Sequence, residues 1–146
     1  MRPILALFLL LTVAACASPL PQGSDSVPEA RDMHNSRNAL DWPGVYHGVL
    51  PCADCEGIET RVSLQQDGGF ERTTRYLGKG DRVFSERGRF EWDAEGRRVL
   101  TRADGGGTQW YQVGEGRLFH LDRNGQRIGG ELAERYVLDK KPGDPG

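Results

Sequence analysis

The sequence lacks the motifs on which most enzyme classes depend. It has no Gly-x-Ser-x-Gly nucleophile turn, no glycine-rich phosphate loop and no His-Glu-x-x-His metal motif, and only three of its residues are histidine. Its carboxylates are numerous but scattered among predicted turns, where such groups are usually solvated. These absences predict a protein that is not an enzyme.

A basic surface is missing as well. The formal net charge is −2, and no run of lysine and arginine alternates with aromatic residues. Nucleic-acid binding depends on such a stripe, so we expect no nucleic-acid partner. No apolar run is long enough for a membrane-spanning helix, since the run Ile4 to Val13 is about half the roughly 20 residues required.

The first residues look like a bacterial lipoprotein signal. A basic Arg2 precedes that short apolar run, and the small residues Ala14 and Ala15 lead directly to Cys16. We therefore expect residues 1–15 to be a signal peptide and Cys16 to carry the lipid; the alternative is a plain secretory peptide. Cleavage removes Arg2, which changes the net charge from −2 to −3. Ala17 after the cysteine favours the outer membrane, with the protein facing the periplasm.

Composition divides the rest of the chain into three parts. Residues 16–40 are polar, contain proline and serine and show no sustained periodicity, which predicts a flexible lipidated tether. Residues 41–140 have the size of one domain. Residues 141–146, rich in glycine and proline, are expected to form a disordered tail. We expect a monomer.

The domain shows the period-two alternation of β-strands. Apolar positions from Ile58 to Leu64 alternate with polar ones, and glycine-rich turns recur about every dozen residues. This pattern predicts an all-β antiparallel meander of about eight strands, closed into a small barrel because an open sheet leaves two unpaired edges. One short helix is expected near residues 131–135.

Cys52 and Cys55 carry the concentrated chemistry of the sequence, and three interpretations remain open. An oxidising periplasm favours a structural disulfide, worth about 2 kcal/mol for so short a loop. Two thiolates on a turn also suit a soft metal, copper(I) or zinc. Thiol–disulfide exchange is third, since the acidic neighbours Asp54 and Glu56 disfavour a reactive thiolate.

Other side chains could extend such a site. His47 precedes the loop on the first predicted strand and could be a third metal ligand, although a lone histidine on a strand is more often packed or exposed. His120 is interpreted in the same way. The three tryptophans are most simply core and rim packing, with a ligand-binding cavity as the alternative.

The segment Pro51-Cys52-Ala53-Asp54-Cys55-Glu56-Gly57 resembles the N-terminal domain of NlpE-type bacterial lipoproteins. Residues 44–50 before it, residue 58 after it, residues 75–78 and residues 121–125 extend the resemblance over most of residues 42–138. The resemblance implies a lipocalin-like β-barrel that bears the Cys-x-x-Cys pair. It also implies an outer-membrane anchor, copper tolerance, and envelope-stress or surface signalling to an inner-membrane sensor kinase.

Longer members of that family carry a second, C-terminal β domain, and this chain stops about where it would begin, so we expect a short form. The function expected is copper homeostasis and envelope-stress sensing through the Cys52–Cys55 loop, with copper(I) as the metal. The alternatives are a lipocalin-like carrier of a small apolar ligand and a thiol–disulfide exchange protein.

Overall fold

Eight antiparallel strands follow one another in this protein, each paired with the next. The computed structural model describes residues 34–143. The strands are β1 (Gly44–Leu50), β2 (Gly57–Leu64), β3 (Gly69–Leu77), β4 (Val83–Trp92), β5 (Arg98–Ala103), β6 (Thr108–Gly114), β7 (Arg117–His120) and β8 (Val137–Lys140). Because β8 pairs back onto β1, the sheet closes into a barrel. The predicted all-β barrel of about eight strands is confirmed.

Several predictions concern residues outside this range. The signal peptide (residues 1–15), the lipid on Cys16, the tether up to residue 33 and residues 144–146 of the tail lie outside the described residues. They stay predictions. Within residues 34–143, no helix has the length and apolar character needed to cross a membrane.

Alternation along each strand places one set of side chains inside the barrel. Burying each large apolar side chain stabilises the fold by about 1.5–3 kcal/mol, so this interior is the main source of stability. Its buried residues on the strands are Tyr46, Leu50, Val62, Leu64, Phe70, Phe90, Val99, Tyr111, Val113, Leu118 and Leu138.

One end of the barrel, here called the closed end, is filled by aromatic side chains. Trp42 meets Phe90 and Trp92 edge to face, with ring centroids 5.8 and 5.4 Å apart. Such contacts add about 0.5–1.5 kcal/mol beyond the area they bury. These two tryptophans therefore pack the core, as predicted. Trp110 lies elsewhere, under the guanidinium of Arg98.

A four-residue helix, α1 (Ser36–Ala39), covers the closed end. The Ser36 hydroxyl donates to the Val113 carbonyl oxygen over 2.8 Å, and the Arg37 amide donates to the carbonyl oxygen of Gly96 over 3.0 Å. The helix lies within residues 16–40, predicted as tether, so the last residues of that segment are ordered against the barrel. The helix predicted near residues 131–135 is a single 3₁₀ turn, Ala133–Arg135.

Closure between β1 and β8 depends on a glycine. A Cβ atom added to Gly48 would lie only 2.7 Å from the Val137 carbonyl oxygen. The two backbones approach each other there because Gly48 has no side chain. Closure leaves neither β1 nor β8 as an open edge.

The other end, here called the open end, carries the loops at 51–56, 78–82, 104–107 and 121–136. Tyr76 and Phe84 occupy positions that face the interior by alternation, yet they are 39% and 44% exposed. Inward-facing side chains that reach solvent mark a barrel whose interior opens at this end.

Candidate functional site

The Cys-x-x-Cys loop lies at the open end, where it joins β1 to β2. Cys52 and Cys55 form a disulfide, with an S–S distance of 2.03 Å and Cα atoms 5.4 Å apart. Both cysteines are half-buried, whereas Ala53 and Asp54 between them are exposed. The loop is therefore accessible from solvent.

Two contacts and one close backbone approach position the loop. The Glu56 amide donates to the Leu77 carbonyl oxygen over 3.2 Å, which ties the loop to the end of β3. An ion pair of 3.3 Å joins Lys79 Nζ to Asp54. A Cβ atom on Gly57 would lie 2.5 Å from Val49 Cγ1, so the loop returns closely over β1 only because residue 57 is glycine.

Hydrogen-bond acceptors surround the two sulfur atoms. Asp54 Oδ1 lies 3.6 Å from Cys52 Sγ, and the Gly57 carbonyl oxygen lies 3.3 Å from Cys55 Sγ. Among the described residues, Cys52, Asp54 and Cys55 offer a group of ligand atoms within 4.8 Å of one another. Two sulfurs and a carboxylate oxygen are a donor set that a soft or borderline cation can use once the disulfide is reduced.

His47 lies on the outer face of β1, apart from this group. Its Nε2 is 3.5 Å from Glu59 Oε1, and Glu59 also accepts a 2.8 Å hydrogen bond from Arg75 Nε. That hydrogen bond is the main reason why the pKa of Glu59 lies below its usual range. The run from His47 to the end of β1 already spans about 10 Å, so the ring is distant from the sulfurs along the strand. A role for His47 as a third ligand stays a prediction.

A second polar cluster, which sequence reasoning did not single out, lies inside the barrel. Arg72 of β3 and Glu86 of β4 face each other across the strand pair and form an ion pair. Arg72 Nη1 also donates to the hydroxyl of Tyr111, on the far side of the barrel, over 3.3 Å. The period-two alternation along β3 and β4 could have indicated this cluster, because it places each of the two charged residues between apolar or small residues on an inward face.

His120 lies beside this cluster. Its ring meets that of Tyr111 edge to face, with centroids 5.6 Å apart, and also contacts Tyr136. Its Nδ1 is buried and has no hydrogen-bond partner in the structure. Burial, together with the nearby positive charge of Arg72, lowers the pKa of His120 to about 4. The imidazole is therefore neutral at neutral pH.

Comparison with known proteins supports the resemblance seen in the sequence. The model of the NlpE N-terminal domain family matches residues 46–131. Lipoprotein NlpE of Escherichia coli (strain K12) is 30% identical over 135 residues, which cover 92% of this chain and 54% of that protein. The chain thus spans about half the length of the curated relative that it matches.

Solved structures agree in sequence and in fold. A crystal structure of a Shewanella oneidensis protein described as a lipoprotein is 50% identical, with a TM-score of 0.67, and covers 75% of this chain and 97% of that one. The crystal structure of the Cpx pathway activator NlpE from Escherichia coli is 35% identical, with a TM-score of 0.53. That match covers 61% of this chain and 47% of that one.

Proposed function

This chain belongs to the NlpE family, and from that premise we propose that it is an outer-membrane lipoprotein acting in copper homeostasis and envelope-stress sensing. The solved Escherichia coli relative is described as an activator of the Cpx pathway, which supports a signalling role. An inner-membrane sensor kinase is the partner we propose, and the Cys52–Cys55 loop is the sensing element.

The proposed anchor is the lipid on Cys16, with the barrel as a monomer facing the periplasm. Each buried CH₂ of an acyl chain contributes about 0.8 kcal/mol, so several chains on one cysteine hold the protein firmly in a membrane. Support comes from the small residues Ala14 and Ala15 before that cysteine and from the lipoprotein name of the relative.

One observation carries the copper proposal: two sulfurs and the Asp54 carboxylate lie within 4.8 Å of one another on an exposed loop. A dithiol reductant can break the S–S bond, which gives two thiols while the reductant becomes a disulfide. The reduced pair then offers two soft ligands, which suit copper(I) better than zinc, since zinc prefers four. Oxidation and metal binding are thus exclusive states of Cys52 and Cys55.

Catalysis of thiol exchange is disfavoured by the surroundings of the sulfurs. The acceptors next to the sulfurs, Asp54 Oδ1 and the Gly57 carbonyl oxygen, can each accept a hydrogen bond from a thiol. A negative neighbour and hydrogen bonds to the neutral form both work against a reactive thiolate. A metal cation is attracted by the same Asp54 carboxylate. We therefore propose a binding protein that is not an enzyme.

A competition titration tests the copper site. Residues 17–146, reduced and freed of metal, are titrated against a chromogenic copper(I) chelator beside the Cys52→Ser, Cys55→Ser double variant. The wild type should take up one copper(I) at least about tenfold more tightly than the double variant, a difference of about 1.4 kcal/mol. Asp54→Asn should weaken binding by a smaller factor, because it replaces a charged carboxylate oxygen with a neutral amide oxygen and keeps both sulfurs.

The same titration is repeated with a His47 variant and with oxidised protein. His47→Ala tests the third ligand: a large loss of affinity would show that the ring leaves Glu59 and reaches the loop, and no change is expected if it stays on β1. Oxidised protein should bind no better than the double variant. Equal affinities of reduced wild type and double variant would leave the pair as a structural disulfide and refute the copper site.

A further inference from the structure

The inside of the open end has the chemistry of a ligand site that is separate from the cysteine loop. We propose that it binds a monoanionic amphiphile, a medium-chain carboxylate, with its carboxylate on Arg72 and Tyr111 and its apolar body against the rings of Tyr76 and Phe84. This goes beyond the proposed copper and stress function and does not depend on it.

Arg72 is an arginine inside a closed barrel, with a side chain that is only 18% exposed. Nε and Nη2 donate to one oxygen of Glu86, and Nη1 donates to the hydroxyl of Tyr111. A guanidinium has five N–H groups in a fork that matches a carboxylate, so these three bonds leave two N–H groups without a protein acceptor in the described structure. The cation is therefore partly unsatisfied and able to accept a second anion.

Glu86 competes with a ligand carboxylate for the guanidinium of Arg72. Its side chain is 41% exposed, more than twice as much as that of Arg72. Only Oε2 is engaged by the arginine. A carboxylate that can rotate into solvent loses little on release, because water can hydrate it. Arg72 can then exchange an internal carboxylate for an external one of the same geometry.

Neighbouring groups favour an anionic head at this depth. The unpartnered Nδ1 of His120 is a buried polar atom next to the Tyr111 ring, and in the tautomer with an Nδ1–H it can donate a hydrogen bond to a carboxylate. Buried polar atoms without partners are rare in native proteins. Arg72 supplies the positive charge, which selects an acid over a neutral or cationic molecule of the same shape.

Aromatic side chains supply the apolar wall. Tyr76 and Phe84 pack edge to face, with centroids 5.8 Å apart, at the rim of the interior. Tyr76 lies four positions after Arg72 on β3, a distance of about 13 Å along the strand. A carboxylate bound at Arg72 therefore directs its chain past both rings towards solvent. The distance of about 13 Å from Arg72 to the rim matches the length of a medium-chain alkyl group.

Decanoate, used below its micellar concentration, is the probe, and decanol is the neutral control of equal length. Binding to residues 17–146, which include every described residue, is measured by isothermal titration at neutral pH. Wild type should bind decanoate at least about tenfold more tightly than decanol. Decanoate bound no more tightly than decanol would overturn the proposal.

Variants identify the site. Arg72→Met should remove the preference for decanoate, whereas Arg75→Met, on the outer face of the same strand, should leave it unchanged. Glu86→Gln removes the competing carboxylate and should raise decanoate affinity severalfold without changing decanol affinity. If Arg72→Met does not fold, as judged by thermal unfolding, the Glu86→Gln arm decides, and an unchanged decanoate affinity there refutes the exchange at Arg72.

Discussion

Protonation of His120 should make the barrel less stable in mild acid. In the folded protein, burial and the charge of Arg72 lower the pKa of this imidazole to about 4, from a usual value of 6.5. Between these two pH values the unfolded chain binds a proton that the folded chain does not. Stability from the neutral ring is therefore complete above about pH 6.5 and is lost as the pH falls towards 4.

The loss of folding stability can be calculated from the difference between the pKa values of His120 in the unfolded and the folded protein. Each pKa unit corresponds to about 1.4 kcal/mol, so the full window is worth about 3 kcal/mol, of which about 2 kcal/mol is lost between pH 7 and 4.5. Urea unfolding of residues 17–146 at the two pH values measures it. Arg72 and Tyr111 beside the ring, whose pKa values are both raised, keep their charge state across this window.

His120→Gln isolates the histidine, because it removes the titrating group and keeps a polar side chain. The loss of about 2 kcal/mol should disappear in this variant, whereas His47→Gln on the outer face should retain it. Carboxylates remote from both histidines contribute equally to all three proteins, and Glu59, which loses its contact with His47 in the His47→Gln variant, keeps the hydrogen bond from Arg75 that is the main cause of its lowered pKa. An equal pH dependence in wild type and His120→Gln would refute the reasoning, since the ring would then be solvated or already charged.

Two further predictions concern the core and the anchor. Tyr46→Phe removes the 2.6 Å hydrogen bond from the buried hydroxyl to the Trp42 carbonyl oxygen and should lower the free energy of unfolding by about 1–2 kcal/mol. The loss is measured as a lower Tm. Tyr76→Phe at the open end is the matched control and should change Tm little. Cys16→Ala should abolish acylation and release the protein from the outer-membrane fraction after a high-salt wash, and continued co-fractionation would contradict the anchor.

The barrel could be predicted because the strands alternate clearly and their turns are rich in glycine. Positions 58–64 read apolar and polar in turn, and the structure buries Val62 and Leu64 inside. The helix α1 could not be predicted in this way. It is four residues long and buries no side chain of its own, so neither a helical period nor an apolar face in the sequence predicts it.

For the interior cluster, the sequence predicts which strand face each residue lies on but not which residues contact one another. Alternation places Arg72 on the face of Phe70, and Glu86 on the face of Phe90, but the register that sets these two charges opposite each other depends on the β3–β4 turn. The contact from Arg72 to Tyr111 crosses the barrel between residues 39 apart in sequence. No local pattern reports such a contact. Conversely, His47 is near Cys52 in sequence, but the extended strand separates them.

The residues that stabilise the fold and those of the proposed binding sites lie at opposite ends of the barrel. Residues 34–43 lead into β1 at the closed end, and β8 finishes there, where Lys140 Nζ pairs with Asp41 over 2.8 Å. Both ends of the described chain therefore leave the loops of the open end uncovered. Substitutions in the aromatic packing at the closed end should lower stability and spare ligand binding. The cysteine variants should weaken copper(I) binding and Glu86→Gln should raise decanoate affinity, and both should spare the aromatic core because their groups are partly solvated.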